Sequence, residues 1–140
     1  MPDFPYDTRL NVLHGPLERI DVPGLVAAVT HPWYNQTLCR VNDSVVRLGV
    51  VCGDYHWHKH DNDDEFFFVL EGSFLIDLEP GADGVTPGRV VTLAPREGFV
   101  VPKGVVHRES NPSAEPADIV VVRAGRGEST INVGGPSSAR

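Results

Sequence analysis

From position 44 onward, short runs of β-branched and aromatic residues alternate with clusters of Gly, Pro, Asp and Asn, the pattern of an antiparallel sheet protein. The runs predict strands over Ser44 to Cys52, Tyr55 to His60, Glu65 to Leu70, Ser73 to Leu78, Arg89 to Leu93, Gly98 to Pro102, Gly104 to Glu109 and Asp118 to Arg123. Their spacing fits a barrel or sandwich rather than strands alternating with helices. Glu71-Gly72 joins two of the runs as a short hairpin, because Gly takes positive φ at little steric cost. The stretch from Pro80 to Gly88 has no apolar period and reads as an exposed loop.

The first 44 residues break this pattern. Leu25 to Val29 is a short apolar run, but Pro16, Pro23 and Pro32 prevent a long helix. Residues 1–44 therefore read as an irregular arm with one short element, packed on the barrel or on a partner subunit. Residues 45–124 form the barrel, and residues 125–140, small and polar, a tail. One domain with a real core is what 140 residues allow.

Composition narrows the partners. The 12 basic and 19 acidic residues give a net charge of -7, and no basic stripe or helix-turn-helix pattern accompanies them, which argues against nucleic acid or an anionic membrane surface. No apolar run is long enough to span a bilayer, and Met1 to Tyr6 lacks the charged and apolar regions of a secretory signal, so the expected location is the cytoplasm. Cys39 and Cys52 are too few for a disulfide framework and read as reduced thiols.

The chemistry sits in the middle of the chain. On an extended strand alternate side chains share a face, so His56, His58 and His60 project to one side and Tyr55, Trp57 and Lys59 to the other. Asp61-Asn62-Asp63-Asp64 reads as a solvated turn that returns Glu65 to these imidazoles at the start of the next antiparallel strand. Pro102 and Gly104 re-aim the chain so that His107 arrives from another strand, with Val105 and Glu109 on its face. Three imidazoles and one carboxylate are a ligand set for a divalent transition metal, which makes His58, His60, Glu65 and His107 the candidate ligands. His56 shares the face but is not needed for the set. It is either a pocket-lining proton donor or acceptor, or a hydrogen-bonded barrel histidine. Glu109 is either a second carboxylate near the mouth, able to move protons as His56 would, or a solvated strand-end glutamate.

These residues resemble the two motifs of the cupin family. Gly53, His58, His60, Glu65 and Gly72 are similar to the first, a Gly followed by HxH, Glu and a second Gly; Pro102, Gly104, His107 and Asn111 are similar to the second, PxGxxHxxxN. The likeness runs from about Arg40 to Arg123. The leading Gly of the first motif usually stands one residue further from the HxH pair. The Gly usual before the second motif would align near Arg96, where this chain has Gly98 instead, so the turn after Pro95 is expected to differ in shape.

The resemblance implies a small single-domain cupin, an all-β, jelly-roll-like antiparallel double-stranded β-helix of about six to eight strands with the metal at one open end. It implies a divalent ion, Fe, Mn, Ni, Zn, Cu or Co, among which the sequence does not choose. It also implies a small-molecule substrate with dioxygenase-like oxidoreductase chemistry first, and isomerase, cyclase or decarboxylase chemistry with the metal as Lewis acid next. A non-catalytic module that binds a small ligand or metal is the alternative from another class.

Alternation nominates Val46, Leu48, Val50, Phe67, Val69 and Val105 as the substrate-pocket lining, with Ile119 or Val121 beside them, around a small, largely apolar or aromatic molecule. Phe66, Phe68 and Leu70 then point outward, as do Tyr55 and Trp57. Large outward aromatics require cover, from the arm or from a second copy in a homodimer.

Overall fold

The computed structural model describes residues 6–31, 33–81, 83–124 and 131–132. Its elements in chain order are β1 (Asp7–Arg9), α1 (Val22–Ala27), β2 (Tyr34–Val41), β3 (Ser44–Val51), β4 (Gly53–Asp54), β5 (His58–Lys59), β6 (Glu65–Glu71), β7 (Phe74–Leu78), β8 (Arg89–Leu93), β9 (Gly98–Val101), β10 (His107–Asn111), β11 (Ala117–Ala124) and β12 (Ile131–Asn132). They make two sheets. The first runs β1-β2-β3-β11-β6-β9; the second runs β12-β5-β10-β7-β8, with β4 also paired to β10. Every pairing is antiparallel except β1 with β2. This is the all-β double-stranded architecture expected of the chain.

The main core holds Trp33, Val51, Phe67, Val69, Phe74 and Ile76, with Leu93, Val101 and Ile119 among the residues packed beside them. Alternation places these residues there: in β6, Phe67 and Val69 are buried while Phe66 on the other face is exposed. The β6–β7 hairpin turns through Gly72 at φ 91°, where a Cβ would lie 2.8 Å from Ala117 Cα, so both the backbone angle and the space require glycine.

The described residues of the 1–44 stretch carry β1, α1 and β2, more regular structure than an irregular arm with one short element. The turn Asn42-Asp43, with Asn42 at φ 53°, folds β2 against β3 with Val41 opposite Ser44. The sequence reading missed β2 because its Asn35, Gln36 and Thr37 are polar, yet Gln36 and Thr37 are buried. Gln36 is satisfied there, donating to the Asn11 carbonyl at 2.7 Å. Asp21 caps α1 by accepting from the Gly24 N–H at 3.1 Å. The helix then lays Val22, Leu25 and Val26 over Leu38, Leu48 and Val50, forming a second apolar cluster on the outer face of β2 and β3.

This cluster corrects three of the expected pocket residues. Val46, Leu48 and Val50 face α1, not the space between the sheets. Residues 45–51 carry apolar side chains on both faces, because this strand is covered on both, and such a strand gives no parity from sequence. The cavity side belongs instead to Arg47 and Val51.

Tyr55 and Trp57 are not outward-facing either. Trp57 is buried, with the Arg108 guanidinium 5.1 Å above its ring, and Tyr55 packs 5.1 Å from Trp33 and 4.3 Å from Tyr6. Phe66 does stay exposed beside its cross-strand neighbour Val100, its ring 6.4 Å from that of Phe68. The described residues of the loop from Pro80 to Gly88 are largely exposed, as expected, and are organised by Asp83, which accepts from Val85 and Thr86 N–H groups at 2.9 Å each. Cys39 and Cys52 are free thiols. Among the described residues no helix is long and apolar enough to cross a membrane. The tail expected over 125–140 lies outside the described residues apart from β12, which pairs with β5.

The turn after Pro95 carries Arg96 where the motif usually has Gly. Exposed Arg96 takes φ 70°, a conformation that costs an L-residue about 1–2 kcal/mol and a glycine little. Its backbone N–H donates to Val69 O at 2.7 Å, which holds the turn in place. Arg96→Gly is therefore expected to stabilise the protein by about 0.5–1 kcal/mol after the flexibility of glycine in the unfolded chain is deducted, read as a higher urea midpoint. A lower midpoint would contradict the strain.

Candidate metal centre

Each side chain of the centre is placed by a different device. β5 begins only at His58, since residues 55–57 are not strand. His58 pairs with His107 across β5 and β10, and their ring centroids are 4.3 Å apart. The Gly104 N–H donates to His60 O at 2.7 Å, so the second motif's turn is tied directly to the first motif's last histidine. The Lys103 N–H donates to Asp64 at 2.9 Å in the same place. Asn111, fully buried, donates to Val51 O and Glu115 O at 2.9 and 2.8 Å, joining the end of β10 to the end of β3.

His58, His60, Glu65 and His107 are all buried, and one ligand atom from each lies within 4.8 Å of all the others. Glu65 Oε1 is 3.1 Å from His60 Nε2 and 3.3 Å from His107 Nε2. The Nδ1 atoms of His58 and His107 face backbone carbonyls, His56 O at 2.8 Å and Val105 O at 3.0 Å. An Nδ1–H donated to those carbonyls leaves each Nε2 lone pair for the centre, the tautomer a metal requires.

Glu109 is not a solvated strand-end residue. It is buried, lines the cavity, and sets Oε1 at 3.3 Å from His107 Nε2 and 3.5 Å from His58 Nε2. Glu65 Oε1, His107 Nε2 and Glu109 Oε2 are buried yet complete no hydrogen bond. Two buried carboxylates facing three imidazoles, with donor atoms left unsatisfied, form a site that fits a divalent cation.

The electrostatics follow from this crowding of carboxylates and imidazoles. Burial pushes the Glu65 carboxyl up, but His107 and His60 overcome this and hold it at about 2. Burial disfavours a charged His107, yet the Glu109 charge and contacts with both carboxylates raise it to about 10. Burial likewise opposes Glu109 ionisation, and the His58 and His107 charges outweigh it, keeping that carboxyl well below its ordinary range.

His56 is not on the ligand face. Its ring stacks among Tyr6, Tyr55 and His58 at 5.7, 4.3 and 5.3 Å and does not line the cavity; strand alternation fails because residues 55–57 have no strand geometry. What it gives the centre is its carbonyl, which orients His58.

The Asp61–Asp64 segment is a turn, but Asp63 is not solvated. It is buried and accepts from Arg123 Nε at 3.1 Å, while Arg123 Nη1 stands 3.4 Å from His60 Nε2. A second buried pair lies behind His107, where Arg108 donates to Asp77 at 3.0 and 2.6 Å.

A cavity of about 270 Å³ adjoins the imidazoles. Of the predicted lining residues, Phe67 is on its wall, with Ile119 and Val121; Val69 lies in the core and Val105 packs half-buried against it. The wall is more polar than expected. Asn35, Arg47, Tyr55 and Arg123 line it and were missed. The available signal was a single arginine inside each of two mostly apolar strands, because a buried guanidinium needs a reason. Burial also raises the Tyr55 phenol well above its ordinary range, so it stays a proton donor.

Comparison with known proteins agrees with this construction. The uncharacterized protein YdbB of Bacillus subtilis (strain 168) is 42% identical over 74 residues, 53% of this chain; the match spans 59% of that relative's length. A cupin-2 domain containing protein from Shewanella frigidimarina superposes with TM-score 0.63 at 27% identity, covering 74% of this chain and 91% of that one. Protein NMB1881 from Neisseria meningitidis does so with TM-score 0.62 at 28% identity, covering 76% and 99%. The family model of the cupin domain matches residues 46–123, the stretch that supplies every residue of the ligand group, and this chain belongs to the cupin family.

Proposed function

We propose that this protein is a metal-dependent enzyme acting on a small organic molecule at the His58, His60, Glu65 and His107 centre, with oxygenase-type chemistry. The observation that carries the reading is that the buried ligand group opens on a cavity of about 270 Å³ instead of being walled off, as a storage site would be. A divalent transition metal held by these residues supplies Lewis acidity, and a redox-active one supplies one-electron chemistry toward dioxygen.

The chain's own residues do the rest. Tyr55 donates a hydrogen bond to an oxygen of the bound molecule, and the aromatic wall of Trp33 and Phe67 excludes water from it. Glu109, touching His58 and His107, is the carboxylate placed to relay the proton removed from the substrate. That same carboxylate favours a second reading, isomerase, cyclase or decarboxylase chemistry, in which proton transfer is the central step. The exposed Phe66 and Val100 support the expectation of a homodimer.

The test is elemental analysis of protein purified without added metal, followed by oxygen uptake with enolic, phenolic and 1,3-dicarbonyl compounds. Metal-dependent uptake that falls about 10²-fold in Glu109→Gln supports the oxygenase reading. Turnover without oxygen uptake selects the second. Protein that takes up no stoichiometric transition metal under any reconstitution refutes both.

A further inference from the structure

We infer that Glu109 is a fifth protein ligand of the centre, so that three imidazoles and two carboxylates hold the ion and leave one position open toward the cavity. The inference deepens the function proposed above and rests on its metal centre.

Glu109 follows His107 by two residues on β10 and shares its face, and His107 is paired with His58 across β10 and β5. Its carboxylate therefore meets the two imidazoles that the strand pairing has already joined. Among the described residues that carboxylate contacts His58 and His107 and no lysine or arginine. A buried carboxylate so placed needs either a proton on those rings or a cation between them.

The rings favour the cation. Their Nδ1 atoms face the carbonyls of His56 and Val105 at 2.8 and 3.0 Å. With Nδ1–H donated there, each neutral ring turns an Nε2 lone pair toward Glu109 Oε1, 3.5 Å away for His58 and 3.3 Å for His107. Lone pairs that face one another repel unless positive charge lies between them. A proton on one ring serves a single contact, and charge-assisted hydrogen bonds are about 2.7–2.9 Å long. The four carboxylate–imidazole separations, 3.1 and 3.3 Å for Glu65 and 3.3 and 3.5 Å for Glu109, are all longer. They lie closer to the spacing of neighbouring donors around an octahedral ion, about 2.8–3.1 Å for bonds of about 2.0–2.2 Å.

Glu109 is not among the four residues whose ligand atoms all lie within 4.8 Å of one another, so ligation draws it inward. The last torsion of a glutamate is broad, and a small rotation about it swings an oxygen toward the set. Oε2 is buried and has no hydrogen bond to lose.

Charge and coordination number agree with this. Two carboxylates neutralise a divalent ion, which leaves a buried centre without net charge. Five donors and one open position make a six-coordinate site, which suits manganese(II), iron(II) or cobalt(II) better than the tetrahedral preference of zinc. The two roles of Glu109 are successive: ligand in the resting protein, proton relay once a substrate fills the cavity.

The experiment is water-proton relaxation of the manganese-loaded full chain, with affinity from chelator competition, in wild type, Glu109→Ala and Glu109→Asp. A six-coordinate ion with five protein ligands keeps one water. Glu109→Ala opens a second position, so relaxation per bound ion should about double and affinity should fall about tenfold to a hundredfold. Glu109→Asp keeps the charge on a shorter side chain; it should relax like Glu109→Ala, and it carries the test if the alanine variant does not fold. Variants that relax like wild type overturn the inference even where affinity falls, because a charge beside the ion changes affinity without adding a water. Wild type that takes up no divalent ion refutes the metal centre and this inference together. Doubled relaxation in protein inert toward every substrate tested leaves Glu109 a ligand and refutes the proposed activity alone.

Discussion

The double substitution His58→Ala with His60→Ala is expected to empty the centre of metal while the sheets still form. Structural zinc sites with four protein ligands bind with about 10–16 kcal/mol, so each ligand carries roughly 3 kcal/mol and two carry about four orders of magnitude in affinity. Purified wild type should hold about one transition-metal ion per chain and the variant under about a tenth of that. Both imidazoles are buried, so the variant also loses packing, and metal content alone would not separate ligand loss from unfolding. Thermal unfolding separates them. Wild type should lose stability when a chelator is added, by about 2.7 kcal/mol where free metal stood at a hundred times its dissociation constant, whereas the variant should melt at one temperature with or without chelator. A folded variant that keeps stoichiometric metal would show that His58 and His60 are not ligands.

How much of this centre was readable in the chain depended on what each segment's polarity meant. Glu65 and His107 lie at starts of true strands, β6 and β10, and their positions follow from order and spacing. His58 and His60 lie together, but strand geometry begins only at β5, so the alternation that groups them also carries His56 along. The whole of β10, His107 to Asn111, is polar and entirely buried. Polarity ordinarily stands for exposure, and here it stands for function: His107 and Glu109 face the centre, Arg108 is paired with Asp77, and Asn111 ties two backbones. The same inversion hid β2.

The pocket wall was lost for the opposite reason. Between Val45 and Val51 apolar residues occupy both faces, and only the docking of α1 over Leu48 and Val50 shows which face is the outer one. That cover comes from residues 22–27, distant in sequence, so no local period could reveal it. Once the parity is reversed, Arg47 faces the cavity and the expected apolar pocket becomes a mixed one. The ligand set is thus local information and the substrate wall is tertiary information.

Metal should also reverse the pH dependence of stability. In the metal-free protein Glu65 is held at about 2, below its ordinary 4.5, so its contribution is present above 4.5 and is lost as pH falls toward 2. That displacement corresponds to roughly 3 kcal/mol, and Glu109, also depressed, acts in the same direction. His107 is raised from 6.5 to about 10, so its contribution is complete below 6.5 and disappears as pH rises through 10. The metal-free protein should therefore be most stable between about pH 4.5 and 6.5 and should weaken steadily on the alkaline side. A bound metal requires His107 without its proton, so binding releases that proton, and affinity should climb by up to about tenfold per pH unit for each proton displaced. Melting temperatures from pH 4 to 10, in chelator and in excess zinc, should then diverge from about pH 6 upward, the first falling and the second rising until zinc hydroxide competes. Parallel curves across that range would mean that His107 does not lose a proton to the metal, and that the ion, if one binds, is held elsewhere.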